Sequence, residues 1–171
     1  MTSAASPSTF NDLGLIPELQ ARLTDLEYSQ PTPIQAKAIP SVLAGSDLIA
    51  GANTGSGKTA TFALPMLQTL FLEQGAKKAA NKGNFVTGLI LVPTRELATQ
   101  VANSVKSYSA NLNGAIKTVA VFGGVSVNTQ MQALRGGADI IVATPGRLLD
   151  LISSNAIKLD KVTTLVLDEA D

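Results

Sequence analysis

Ala52-Asn53-Thr54-Gly55-Ser56-Gly57-Lys58-Thr59 follows an apolar triplet, Leu48-Ile49-Ala50, and precedes an apolar-rich segment from Ala60 to Leu72. The triplet reads as a buried strand and the later segment as a buried helix. The octet is then a strand–loop–helix junction of the kind that holds phosphate. Gly55 and Gly57 permit backbone angles and close approaches that a Cβ would block. The loop N–H groups and the helix N-terminus face an anion. Lys58 offers a mobile positive charge to the outer phosphates of a nucleotide, and the Thr59 hydroxyl is a ligand for Mg²⁺.

Upstream, Phe10 to Leu26 places Leu13, Ile16, Leu19 and Leu23 at helical spacing, with Asn11 or Asp12 as a cap. A second helix starts at Thr32, with Pro33 in the first helical position and Gln35 in the third, and ends at Gly45. Downstream, Glu73 to Asn84 reads as a solvated, lysine-bearing loop with some helix at its start. Strands follow at Gly88 to Val92, Lys117 to Phe122, Asp139 to Ala143 and Val162 to Leu167. They alternate with helices at Arg95 to Leu112, Ser126 to Leu134 and Gly146 to Ser153. Near-continuous apolar strands alternating with helices predict an α/β domain: a parallel sheet with helices on both faces.

Composition narrows the chemistry. The chain has 171 residues, 45% apolar and 15% charged, which suits one domain with a sizeable core. Lys plus Arg and Asp plus Glu are 13 each, so any nucleic-acid site must be local. The absence of Cys excludes disulfides and thiolate metal sites, and the absence of His removes the commonest general base and zinc ligand. Met1 to Thr9 lacks the pattern of a signal peptide and reads as a disordered head before a domain spanning 10–171. No stretch is long and apolar enough to span a bilayer, so a cytoplasmic location is expected.

Asp168-Glu169-Ala170-Asp171 stands at the carboxyl end of the last strand, where ligand sites of open parallel sheets lie. Asp168 is suited to hold Mg²⁺ through water, and Glu169 to orient the attacking water in a chain without His. Pro93-Thr94-Arg95, Gly123-Gly124 and Thr144-Pro145-Gly146-Arg147 each join a strand to a helix. Each helix start is a small positive pole able to take a phosphate, and Arg95 and Arg147 add formal charge. Such contacts position a polynucleotide without reading its sequence. Read without further context, the same three segments serve equally as ordinary strand–helix loops.

In order, Pro31-Thr32-Pro33-Ile34-Gln35, Ala52 to Thr59, Pro93 to Ala98, Gly123-Gly124, Thr144 to Arg147 and Asp168 to Asp171 resemble the motif series of the DEAD-box RNA helicases. The resemblance covers nearly all of the chain from Phe10 onward. It implies a RecA-like P-loop NTPase domain, the first of two, with the second absent from this sequence. It implies ATP and Mg²⁺ as cofactors, with Lys58, Asp168 and Glu169 catalytic, and Thr59 and Asp168 at the metal. It implies adenine stacked on Phe10 and read by Gln35, and single-stranded or locally melted RNA held by sugar and phosphate along the three loops. Gln35 also reads as half of a capping box with Thr32. Two positions depart from the family: Glu27 stands where a glycine is usual, and Asn53 where many members have Gln. The family's next strand, which lies between the phosphate-loop strand and the acidic strand, is beyond Asp171, so a sheet truncated on its C-terminal side is expected. An isolated domain of this kind is expected to bind nucleotide and RNA with scarcely any turnover. A different P-loop NTPase is disfavoured by Gln35 and the acidic tetrad.

Overall fold

In a computed structural model, residues 9–51, 55, 57–77, 85–113 and 116–170 are described. β1 (Gly88–Leu91) pairs in parallel with β3 (Ile140–Ala143) on one side and β4 (Thr164–Leu167) on the other. β2 (Thr118–Val121) joins the far side of β3, giving the order β2-β3-β1-β4 among the described residues. The helices are α1 (Pro17–Asp25), α2 (Pro33–Leu43), α3 (Lys58–Lys77), α4 (Arg95–Tyr108), α5 (Val127–Leu134) and α6 (Pro145–Ser153).

Alternation along the central strands builds two cores, because successive side chains point to opposite faces. Ile90, Ile140 and Val142 join Leu23, Ile39, Leu67 and Val101 from α1 to α4. Leu89, Ile141 and Ala143 join Leu134 of α5 and Leu148 and Leu151 of α6. The expected parallel sheet with helices on both faces is therefore present. α4 shows how the pattern works: Ala98, Val101, Ala102, Val105 and Tyr108 recur at helical spacing and are all buried. Among the described residues, no helix is long and apolar enough to cross a membrane.

Several local expectations need correction. Leu48-Ile49-Ala50 is not a buried strand: it has no regular structure, and Leu48 and Ile49 are exposed. A strand needs a neighbour to receive its backbone hydrogen bonds, and none lies beside this triplet among the described residues. Phe10 to Leu26 is not one helix either. A 3₁₀ turn, Phe10–Leu13, ends at Gly14 with φ +81°, and α1 begins at Pro17. Thr9, not Asn11 or Asp12, is the N-cap residue, and Asp12 closes the capping box, its Oδ2 accepting from Thr9 N at 3.0 Å. Buried Gln68 of α3 fixes the break, accepting from Ile16 N at 2.8 Å and donating to Gly14 O at 3.0 Å. α3 starts two residues before Ala60 and runs on to Lys77, so the lysine-bearing loop does begin as helix. α4 stops at Tyr108, and Ser109–Asn111 continues as a 3₁₀ turn.

Glu27 explains why a glycine suits its position. Tyr28 N donates to Leu23 O at 2.9 Å and Glu27 N to Thr24 O at 3.0 Å, the paired bonds of a Schellman cap. That cap places Glu27 at φ +60°, where a Cβ is strained. The turn forms regardless, and Tyr28 reaches the Tyr108 hydroxyl at 3.0 Å. Burial, followed by this hydrogen bond, pushes the Tyr108 hydroxyl pKa above its ordinary value. Glu27→Gly is expected to stabilise the fold by about 0.5–1 kcal/mol in urea denaturation; a loss of stability would contradict the strain.

Candidate functional site

The parallel sheet brings every strand-to-helix loop to one edge. Along it, in the order of the sheet, lie Gly123-Gly124 after β2, Thr144-Pro145-Gly146 after β3, Pro93-Thr94 after β1 and Asp168-Glu169 after β4. The three glycine- and proline-bearing loops and the acidic strand end are thus neighbours on one rim.

The phosphate-loop residues Ala52, Asn53, Thr54 and Ser56 lie outside the described residues, as does Asp171. The helix beyond the loop is described. Lys58 is the first residue of α3, and its Nζ stands 3.6 Å from Glu169 Oε1. The start of the phosphate-loop helix and the end of the acidic strand therefore face one another across a single ion pair. Glu169 has φ +53° and so leaves the strand directly after Asp168. Asp168 N still extends the ladder to Leu91 O at 3.0 Å. Burial is the main influence on the half-buried Asp168 carboxyl and raises its pKa; nearby Glu169 adds to this, and Lys58 opposes it. A carboxylate short of positive charge in this way suits a divalent cation. Thr59, next along α3, is partly exposed.

Gln35 is buried, and both ends of its amide are engaged. Its Oε1 accepts from Thr32 N at 2.9 Å, its backbone N–H donates to Thr32 Oγ1 at 3.5 Å, and its Nε2 donates to Gly57 O at 3.1 Å. The capping box is formed, and the same side chain ties the start of α2 to the phosphate loop. Gly57 has φ +83°, and a Cβ there would collide with the Gln35 amide. Phe10 is buried, with its ring edge-on to Tyr28 at 6.0 Å between centroids.

At the other loops, Thr94 caps α4, its Oγ1 accepting from Leu97 N at 3.2 Å. Ser126 and Thr144 occupy N-cap positions, but neither side chain makes the expected capping bond. Arg95 is exposed and donates to Glu96 Oε1 at 2.6 Å, which raises its own pKa and lowers that of Glu96. A Cβ on Gly124, whose φ is +83°, would meet Arg95 Nη1 at 3.5 Å. Two loops distant in sequence thus share one small surface. Arg147 behaves differently: it is buried and bonded to Gln130 and to Val125 O. Gln130, Gln68 and the Gln35 link to Gly57 escaped the sequence reading. A lone Gln in a helix carries no periodic or motif signal, because its partners are backbone atoms supplied by the fold.

Gly57→Ala is expected to cost about 1–3 kcal/mol in thermal or urea unfolding, from the strained φ and the displaced amide. In a Gln35→Ala background the added cost should shrink, since the colliding group is gone; strict additivity would refute the proposed clash.

Known proteins resemble this chain along nearly all of its length. The family description "DEAD/DEAH box helicase" matches residues 32–171. The chain is 46% identical over 164 residues to the ATP-dependent RNA helicase DeaD of Escherichia coli (strain K12), covering 96% of this chain and 24% of that protein. It is 44% identical over 171 residues to the ATP-dependent RNA helicase dbp9 of Aspergillus niger, covering 99% of this chain and 27% of the relative. It is 43% identical over 168 residues to DeaD of Mycobacterium tuberculosis, covering 98% of this chain and 28% of that relative. The chain therefore spans about a quarter of the length of these relatives. With most of its length matched by that family description, the chain belongs to the DEAD/DEAH box helicase family.

Proposed function

We propose that this chain is the ATP-binding RecA-like domain of a cytoplasmic ATP-dependent RNA helicase, spanning 10–171. The observation that carries the reading is the 3.6 Å approach of Lys58 to Glu169, which joins the two walls of an NTP pocket. Lys58 takes the outer phosphates, and Thr59 and Asp168 hold Mg²⁺, which supplies charge neutralisation when bound. Glu169 then exchanges its partner Lys58 for the attacking water, which it orients and deprotonates. Gly55 and Gly57, with Ala52, Asn53, Thr54 and Ser56, form the phosphate loop. Phe10 and Gln35 bind adenine. Gln35 serves the base with the remaining N–H and lone pair of its amide, keeping its bond to Gly57 O.

Single-stranded or locally melted RNA runs along the rim over Gly123-Gly124, Thr144-Pro145-Gly146 and Pro93-Thr94-Arg95, held by sugar and phosphate, with Arg147 next in the chain and buried. The ATP and RNA sites sit at adjacent strand ends, so closure on one bears on the other. A second RecA-like domain in cis completes both sites. The side of β4 that carries no strand among the described residues would accept one further strand, placed between β4 and the Leu48 segment, which would bury Leu48 and Ile49. The short span relative to the helicase relatives also favours a second reading, in which this chain alone binds nucleotide and RNA without turnover. An arginine finger contributes about 10³–10⁵ in rate in related NTPases, and on this reading the second domain in cis would supply it.

Mg²⁺ with ATP is expected to raise the melting temperature of the chain, and Lys58→Ala to abolish that rise; no protection of the wild type would defeat the reading. Turnover by the chain alone should be near background in a phosphate-release assay. Rapid hydrolysis lost in Lys58→Ala would show instead that it is a complete enzyme. Asp168 provides a pH test. A carboxyl whose folded-state pKa is raised favours folding when protonated, and its contribution weakens as pH rises through the ordinary carboxylate range toward the folded value. Asp168→Asn should therefore match or exceed wild-type melting at pH 7 without ligand, yet lose stabilisation by Mg²⁺ with ATP.

A further inference from the structure

We propose that Arg147 and Gln130 form an internal brace that sets the Gly123-Gly124 loop for the polynucleotide backbone, so that Arg147 is a positioning residue rather than a phosphate contact. The proposal rests on the RNA reading above. It begins from two carbonyls. Phe122 O and Val125 O flank Gly123-Gly124 on either side, and both are held by the same pair of side chains. Gln130 Nε2 donates to Phe122 O at 2.9 Å, and Arg147 Nη2 donates to Val125 O at 3.1 Å. The pair is closed by Arg147 Nη1 donating to Gln130 Oε1 at 2.9 Å.

Each link follows from chemistry. Two consecutive glycines have no side chains to pack and a large conformational freedom, so a fixed loop shape needs holding from outside. A guanidinium offers a rigid fork that serves two acceptors at once; an ammonium does not. Gln supplies both an acceptor for Arg147 and a donor for Phe122 O, which neither Glu nor Leu does. Arg147 is only 9% exposed and Gln130 6%, so the links are shielded from water. The charge is balanced at its outer end by exposed Asp150, whose Oδ2 is 3.6 Å from Arg147 Nε. A phosphate contact would require Arg147 to abandon Val125 O and the buried Gln130 Oε1, at a cost that a solvent-facing Arg such as Arg95 does not meet.

The brace also joins two loops. Arg147 is the third residue of α6, directly after Thr144-Pro145-Gly146, while Gln130 lies on α5. The start of α6 and the Gly123-Gly124 loop therefore keep a fixed spacing, as a backbone with a regular phosphate repeat demands.

The test uses this chain and single-stranded oligouridylate RNA, titrated by fluorescence anisotropy at several salt concentrations. Gln130→Ala, which removes no charge, should weaken binding about tenfold while leaving the salt slope unchanged. Arg147→Met should weaken it to a similar extent, and the double variant should be no worse than either single one. Arg147→Lys should not rescue, and Gln130→Glu, which keeps the acceptor alone, should fall between. Amide hydrogen exchange at 123–126 should rise about tenfold in both single variants, with exchange in β1 and β3 unchanged. The proposal is overturned if Arg147→Met lowers the salt slope by about 0.7, the signature of one lost phosphate contact on a single strand, while Gln130→Ala binds normally. It is equally overturned by unchanged exchange at 123–126. Should the wild type fail to bind RNA, the RNA reading falls, and the exchange measurement still decides whether the brace holds the loop. If Gln130→Ala unfolds, Gln130→Glu carries both measurements.

Discussion

Burial of β1 and β3 on both faces is the constraint on which the rest of the structure depends. A strand covered on both sides must place apolar side chains in every position, and Ile90, Leu89, Ile140 and Ile141 do so. With helices required on both faces, each strand must return to the sheet through a crossover, and the strands become parallel. Parallel strands send all their carboxyl ends to one rim. The site is therefore a consequence of the core: the loops that carry chemistry meet because the sheet leaves them no other place.

On that rim, charge is handled by exchange rather than by exposure. Lys58 is paired with Glu169, Arg95 with Glu96 and Arg147 with Gln130, Val125 O and Asp150. With 13 positive and 13 negative side chains, the protein has no surplus field to draw in an anion from a distance. Binding must instead displace existing partners one by one. Asp168 is the exception, since burial works against its charge, and it is the position where a cation has most to offer.

Much of this was legible in the sequence, for definite reasons. Near-continuous apolar runs marked all four strands of the sheet to within about two residues, although only the central strands are covered on both faces and Leu165 and Leu167 of β4 are exposed. The places of Lys58 at the start of a helix and of Asp168 and Glu169 at a strand end were legible because their motifs fix a position on an element. Leu48-Ile49-Ala50 misled because apolar composition signals a wish for burial, while pairing depends on a neighbour that composition does not report. The break at Gly14 was missed because Leu13, Ile16 and Leu19 keep a helical spacing across it. Gln35 shows the limit most clearly. Its capping role was readable from Thr32, yet its bond to Gly57 O joins residues 22 apart and arises only once α2 and α3 pack together.

One consequence concerns β4. Its backbone bonds run to β1, and among the described residues no strand takes its other side. Leu165 and Leu167 are more than half exposed beside that bare margin. An unsheltered margin of this kind is a mould on which another extended peptide can set, whether from the same polypeptide or from a second molecule.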